Sequence, residues 1–317
     1  MNTILVSGAY GFVGSNLSKY LGAKKEYNLI ALDIQKKELT GYNDQFVWQD
    51  LPQMDFNKID TIIHLAGKAH DTKNTSKAEE YFEINVGLTK LIFNKFLKSK
   101  AKTFIYFSSV KAVTDSVKNN MLTEDDIPNP QTPYGKSKLE AEKYILSQEL
   151  PEGKKIYILR PAIIHGPGNK GNLNLLYKLV SKGIPYPLGA FLNQRSFTSI
   201  DNLNFIIEQL LQKNIQSGIY QVADSESLST NELIELIALS IDKKSKIWNL
   251  PVSLIKIAAQ IGNILPLPLN SEKLKKLTEN YVVSNKKIID SLQVSLPISA
   301  KDGMKITLNS FIATDTK

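Results

Sequence analysis

The chain has 317 residues, 42% apolar, 22% charged and 9% aromatic, a globular composition that excludes disordered, collagen-like and low-complexity classes. It holds no cysteine, which excludes disulfide scaffolds, iron–sulfur sites and thiol catalysis, and His64, His70 and His165 are not spaced as metal ligands, so no metal site is expected. The formal charge of +8 is spread over both halves and includes two separated arginines, Arg160 and Arg195, a pattern that argues against a nucleic-acid groove.

The chain opens directly in an apolar run at 3–7. No basic stretch leads into a long apolar segment there, so no secretory signal is expected and the cytoplasm is the expected location. Further apolar runs at 29–33, 61–65, 103–108 and 156–160 predict strands. Helical period at 12–21, 81–97 and 134–150 predicts helices between them. Continuous apolar strands alternating with amphipathic helices predict an α/β fold, a doubly wound parallel sheet covered on both faces.

Ser7-Gly8-Ala9-Tyr10-Gly11-Phe12-Val13-Gly14 lies between the first predicted strand and helix. Gly8 and Gly11 allow a tight turn close to a pyrophosphate, and Gly14 lets the helix pack on the sheet. The alternative is a plain βα turn. Asp33 ends the second strand, where a carboxylate accepts from both adenosine-ribose hydroxyls and repels a 2′-phosphate, favouring NAD over NADP. Lys36 and Lys37 follow and soften that exclusion; a simple turn-capping role for Asp33 also stays open. Asp50-Leu51 is placed to meet the adenine. Lys68 and His70 follow the strand expected at 61–65, within reach of a substrate or simply on the loop surface.

Ser108 and Ser109 stand at the carboxyl end of the strand expected at 103–108, where open α/β sheets bind ligands. No Gly-x-Ser-x-Gly elbow is present, which disfavours serine-hydrolase chemistry. Tyr134 and Lys138 are spaced i, i+4 and share one helix face, with Thr132 as N-cap and Pro133 in the first turn. A neighbouring ammonium is expected to lower the phenol pKa and make Tyr134 a proton-transfer group. Tyr20 and Lys24 repeat the spacing with no partner hydroxyl, and read as surface or packing.

Beyond residue 165 prolines and glycines punctuate the pattern. Helical period returns at 173–180, 203–211 and 230–239, while 197–200 and 218–222 read as strands that rejoin the first sheet. The most apolar long stretch, 252–269, is broken by Lys256, Gln260, Asn263, Pro266 and Pro268 and is no membrane span.

Together these pieces resemble the extended short-chain dehydrogenase/reductases, the NAD-dependent epimerase/dehydratase group acting on nucleotide sugars. The resemblance runs over nearly the whole chain. It rests on Gly8, Gly11 and Gly14, on Asp33, on Asp50-Leu51, on His64-Leu65-Ala66-Gly67, and on Asn85-Val86 with Thr89. It continues through Phe107-Ser108-Ser109, Tyr134-x-x-x-Lys138, Leu159-Arg160-Pro161, Gly166-Pro167-Gly168, Asn172, Arg195 and Ser199-Ile200-Asp201-Asn202-Leu203. It implies a Rossmann dinucleotide domain over 1–165, rejoined by about 196–222, and a smaller C-terminal nucleotide-sugar domain over 166–317. It implies that Ser109, Tyr134 and Lys138 are catalytic, and that Gly8, Tyr10, Gly11, Phe12, Val13, Gly14, Asp33, Asp50, Leu51, Leu65, Ala66, Tyr134 and Lys138 bind NAD. Asn172 and Arg195, with Ser109, would hold a UDP-sugar.

The implied activity is oxidoreduction at sugar C4. The first expectation is a 4-ketoreductase of a UDP-4-keto-6-deoxy-N-acetylhexosamine in surface-polysaccharide synthesis. The alternatives are an NAD-retaining UDP-hexose or UDP-N-acetylhexosamine 4-epimerase and a non-catalytic NAD sensor. The resemblance also implies a homodimer. Departures from the family pattern are His165 in place of tyrosine, Gly87 one position early, and Lys111-Ala112-Val113-Thr114 after the serines. No Thr-Asp-Glu triplet is present, which argues against 4,6-dehydration.

Overall fold

The computed structural model describes residues 1–38, 41–69, 77–117, 121–169, 171–265 and 269–315. The elements run β1 (Asn2–Ser7), α1 (Phe12–Gly22), β2 (Tyr27–Asp33), β3 (Asp44–Val47), β4 (Thr61–His64), α2 (Ala78–Phe82), α3 (Leu88–Lys98), β5 (Thr103–Phe107) and α4 (Pro133–Leu146). They continue β6 (Lys155–Pro161), β7 (Ile163–His165), α5 (Asn172–Ser181), β8 (Phe197–Ser199), α6 (Ile200–Gln212), β9 (Gly218–Val222) and α7 (Thr230–Ser240). The last four helices are α8 (Val252–Ile261), α9 (Ser271–Thr278), α10 (Lys286–Leu292) and α11 (Ala300–Asp315).

Seven strands form one parallel sheet in the order β3-β2-β1-β4-β5-β6-β9. Strand side chains alternate between faces, and this sheet buries both. Ile4, Val6, Ile63 and Ile105 pack with Leu17 and Leu21 of α1 and Leu203 and Ile207 of α6. Leu5, Ile62, Phe104 and Tyr106 pack on the other face with Phe93 and Phe96 of α3 and Ala141 of α4. Each large apolar side chain buried this way contributes roughly 1.5–3 kcal/mol. The doubly wound expectation is what the sheet shows. The order reverses between β1 and β4, which places a crevice beyond their carboxyl ends.

Three local expectations change. The helix expected over 81–97 is α2 and α3 joined by a π-helical turn, Glu83–Gly87. The helix expected over 134–150 stops at Leu146, and Pro151 lies too close for the pattern to run on. The strand expected at 197–200 does not rejoin the main sheet: β8 pairs with β7 in a separate two-stranded parallel sheet, and only β9 of the two adds beside β6.

A further apolar cluster joins α5, α7, α8, α9 and α11 through Tyr177, Ile237, Ile255, Leu274 and Phe311. Among the described residues no helix is long and apolar enough to cross a membrane.

Candidate active site

The glycine turn sits at the reversal point. Gly8 has φ +70°, and a Cβ there would lie 2.7 Å from the Ala66 backbone nitrogen. Only glycine lets the loops after β1 and β4 approach this closely. A Cβ on Gly14 would lie 2.5 Å from the Ala9 carbonyl oxygen, so α1 packs hard against the turn. Gly11 is the N-cap of α1 and supplies no side-chain cap, and the first turn holds no acidic residue. Tyr42 pins the turn by donating to the carbonyls of Ala9 at 3.1 Å and Gly14 at 3.0 Å.

Asp33 ends β2 with its carboxylate turned to this turn. Oδ2 accepts from the Tyr10 N–H and Oδ1 from the Ile34 N–H, each at 2.8 Å. Each oxygen keeps a second acceptor position, so capping the turn leaves the carboxylate able to accept from a ligand. Asp50 accepts from the Val47 N–H at 3.0 Å, and Leu51 is buried in the core below. An uncapped helix N-terminus above Gly8 and a carboxylate at the end of β2 fit a dinucleotide's pyrophosphate and ribose.

The proton-transfer group lies at the carboxyl end of β5. Thr132 caps α4 by accepting from the Gly135 N–H at 3.3 Å, with Pro133 in the first turn. The two serines separate in role. Ser108 donates to the buried Glu142 carboxylate. Burial raises the Tyr134 phenol pKa, the Ser109 side chain pulls it down and the neighbouring Tyr81 pushes it up; the net shift is upward. The Tyr81 ring meets Tyr134 edge-on at 6.3 Å.

Lys138 does not lower the phenol as expected. Its ammonium donates to the Phe107 carbonyl at 2.9 Å and lies 5.2 Å from the Tyr106 ring centroid. Burial brings its pKa down to about 8, against an opposing pull from Glu142. In this state Ser109, not Lys138, is the group that favours the phenolate.

A buried polar chain supports this end of the sheet. His64 Nδ1 meets Ser7 Oγ at 2.6 Å and Nε2 meets Thr89 Oγ1 at 2.9 Å. Full burial pushes the imidazole pKa down to about 3, aided by the Lys138 charge, so the ring is neutral. Asn85, inside the π-helical turn, accepts from the Lys68 N–H at 2.7 Å and donates to the Lys68 carbonyl at 3.2 Å. It also donates to Ser137 at 2.9 Å, and Ser137 donates to the Tyr134 carbonyl at 2.8 Å. The loop after β4 is thereby tied to α4. Lys68 itself pairs with Glu80 at 2.6 Å; His70 lies outside the described residues.

On the C-terminal side, Arg195 is held by backbone pairing to Leu228 and Tyr281 and donates to the Lys276 carbonyl. Its Nε is buried with no hydrogen-bond partner among the described residues. Lys111, two residues beyond Ser109, lies 4.1 Å above the Tyr281 ring. Burial pushes its pKa down; Asp115 and Glu279 pull it back, while the charges of Arg195 and Lys276 add to the downward push. Asn172 opens α5 at an exposed position. His165 is buried, with Nδ1 at 2.8 Å from Thr307 Oγ1 on α11 and Nε2 at 3.6 Å from Asp224 Oδ2. Tyr20 and Lys24 both bind Glu208 on α6, the packing role expected of that pair.

The sequence model of the "NAD dependent epimerase/dehydratase family" matches residues 4–223. The chain belongs to that family. Over 326 aligned residues it is 30% identical to a UDP-glucose 4-epimerase of Vibrio cholerae, covering 99% of this chain and 97% of the other. It is also 30% identical, over 83% of this chain and 80% of the relative, to the N-acetyl-alpha-D-glucosaminyl-diphospho-ditrans,octacis-undecaprenol 4-epimerase of Escherichia coli O157:H7. In fold it is similar to the Bacillus cereus UDP-glucuronic acid 4-epimerase in complex with NAD, with TM-score 0.74, 23% identity and coverage of 98% and 99%.

For this member of the epimerase/dehydratase family, sequence reasoning missed Tyr42, Tyr81 and Glu142 around the site. Glu142 carried a signal: it follows Tyr134 and Lys138 at the same spacing of four, on the same helix face. Tyr42 and Tyr81 reach the site only through tertiary packing.

Proposed function

We propose that the protein epimerises C4 of a UDP-hexose or UDP-N-acetylhexosamine and keeps NAD through each turnover. The observation that carries this reading is that Ser109, Tyr134 and Lys138 gather at the carboxyl edge of β5, with Lys138 bound to the Phe107 carbonyl, at the end of the sheet that holds the glycine turn. The similarity to 4-epimerases of Vibrio cholerae and Escherichia coli supports epimerisation over the ketoreductase first expected. The turn from Gly8 to Gly14, including Tyr10, Phe12 and Val13, receives the pyrophosphate, and Asp33 the adenosine ribose, favouring NAD over NADP. Asp50, Leu51, Leu65 and Ala66 border the same crevice.

Bound NAD supplies hydride acceptance and return at the sugar carbon. Tyr134 takes the C4 hydroxyl proton and returns it to the same oxygen after the 4-keto sugar has turned its other face to the hydride. Ser109 orients the reacting oxygen and stabilises the phenolate. Lys138 holds the nicotinamide ribose, and its charge opposes reprotonation of Tyr134 once the ring approaches. Arg195 suits phosphate oxygens through its planar fork, and with Asn172 it anchors the diphosphate.

The test is to incubate the purified protein with UDP-galactose and with UDP-N-acetylgalactosamine, without added reductant, and resolve the products. Interconversion at C4 with no net NADH change is expected. NADH consumption with a UDP-4-keto-6-deoxy-N-acetylhexosamine, and no interconversion, would replace this reading with the reductase.

A further inference from the structure

Between Asp242 and Glu272 the chain carries four lysines, Lys243, Lys244, Lys246 and Lys256, and no acidic residue. Three of them join Lys182 around a cleft of about 290 Å³ also lined by Ile184 and Ile234. Lys243 donates to the Ser181 carbonyl at 2.6 Å, which fixes its stem at the rim.

The chain leaves this cleft in an extended run. The Tyr186 N–H donates to the Lys246 carbonyl and the Trp248 N–H to the Tyr186 carbonyl, each at 2.8 Å. Ile247 and Asn249 point at Gly189, whose added Cβ would meet both side chains at 2.4 Å. Alternation therefore turns Lys246, Trp248 and Leu250 the other way. Trp248 is 54% exposed.

Helix α8 follows at once. Ile255 and Ala259 face inward and are buried. Leu254, Ile257 and Ile261 lie on the opposite side and are exposed, and Ile264 beyond the helix is 86% exposed. A helix apolar on two opposite sides has a natural medium for only one of them in water. An exposed apolar row on a helix whose one charged residue is Lys256 marks a docking surface.

We propose that this face rests on an anionic lipid bilayer, with Trp248 and the outer row of α8 at the headgroup boundary and the cleft lysines on lipid phosphates. Charge complementarity selects this occupant. A second copy of the chain paired isologously would set the same lysines against each other. The helix has ten residues, enough to lie in the interface plane and too few to span. None of these residues belongs to the site described above, so the inference stands apart from the C4 reading.

The test is co-sedimentation of the full chain with phosphatidylcholine vesicles, with and without phosphatidylglycerol. Binding is expected with phosphatidylglycerol only, weakening as salt rises. Lys243→Glu with Lys246→Glu, and separately Leu254→Gln with Ile257→Gln, should each lower partitioning about tenfold while C4 activity in solution is kept. Trp248 emission should shift to the blue on binding, and Trp248→Phe should remove that shift. Absence of sedimentation at low salt overturns the proposal, as does binding indifferent to these substitutions. A wild-type dimer in analytical ultracentrifugation that Leu254→Gln with Ile257→Gln turns into monomer also overturns it, in favour of a second copy.

Discussion

Arg160 grips Glu142 through two hydrogen bonds, Nε to Oε1 at 2.9 Å and Nη2 to Oε2 at 2.5 Å, with both side chains almost fully buried. Ser108 donates to the same carboxylate, so β5, β6 and α4 meet on one ion pair directly beneath Ser109. Breaking one partner leaves a buried charge uncompensated, whereas replacing both need not cost much. Glu142→Gln should therefore destabilise the fold by about 3–5 kcal/mol in urea unfolding. Glu142→Leu with Arg160→Met should recover most of that loss. Equal destabilisation of single and double variants would show that the pair matters only as packing.

The opposing effects of Ser109 and burial on Tyr134 set a pH dependence. Burial and Tyr81 hold the phenol above its ordinary pKa, and Ser109 opposes them. The basic form is the phenolate, so kcat/KM should rise with pH towards the Tyr134 pKa. Ser109→Ala removes the opposing pull, and the rising limb should move to higher pH. Tyr134→Phe should lower kcat by about 10²–10⁴ with dinucleotide binding retained. An unchanged pH profile in Ser109→Ala would take Ser109 out of the proton-transfer group.

Lys138 carries a stability cost whose sign can be worked out. Its folded pKa is about 8 against an ordinary 10.5, so burial disfavours its charged form. The penalty is complete below about pH 8, is relieved as pH rises, and vanishes above the ordinary lysine range. Lys138→Met removes the titrating group but orphans the Phe107 carbonyl at every pH. The variant's stability relative to wild type should thus be most favourable near pH 7 and fall between about pH 8 and pH 10.5. Urea midpoints across that range read this directly, and a flat difference would mean that Lys138 is not desolvated.

Apolar runs placed five strands of the main sheet correctly because a strand covered on both faces has little choice of residue. The glycine turn was legible for a similar reason: Gly8 and Gly14 leave no room for a Cβ. The edge strand β3 is four residues long and only partly buried, so its sequence carries little hydrophobic signal. The π-helical turn at 83–87 was hidden because its apolar spacing matches an α-helix, and what sets it apart is the tertiary grip of Asn85 on Lys68 and Ser137. The choice of β8's partner was invisible as well. Strand propensity at 197–199 states that pairing occurs, not with which sheet. At the candidate site, the spacing of Tyr134 and Lys138 was legible but the direction of the lysine ammonium was not, since it is set by the Phe107 carbonyl.

Asp33 is already engaged with the Tyr10 and Ile34 amides, so its substitution probes two roles at once. Asp33→Asn keeps one acceptor oxygen for the turn and removes the charge. NAD binding should weaken by roughly 1.5–3 kcal/mol, the range for hydrogen bonds to charged groups. NADP should lose less, because the carboxylate no longer repels its 2′-phosphate. Calorimetric titration of both dinucleotides checks this. Equal losses for the two would leave Asp33 as a turn cap alone.

Arg195 is fixed in place before any ligand arrives. Its backbone pairs with Leu228 and Tyr281, and its guanidinium donates to the Lys276 carbonyl. The buried Nε has no hydrogen-bond partner among the described residues, and burial pushes the guanidinium pKa down while Glu279 and Tyr186 pull it back. A phosphate oxygen would both satisfy that donor and favour the charge. Arg195→Ala should therefore weaken UDP binding by roughly 1.5–3 kcal/mol, with NAD binding unchanged. Arg195→Lys restores the charge without the fork and should recover only part of the affinity. A UDP dissociation constant equal to wild type in Arg195→Ala would remove this residue from the substrate side and leave its buried donor unexplained.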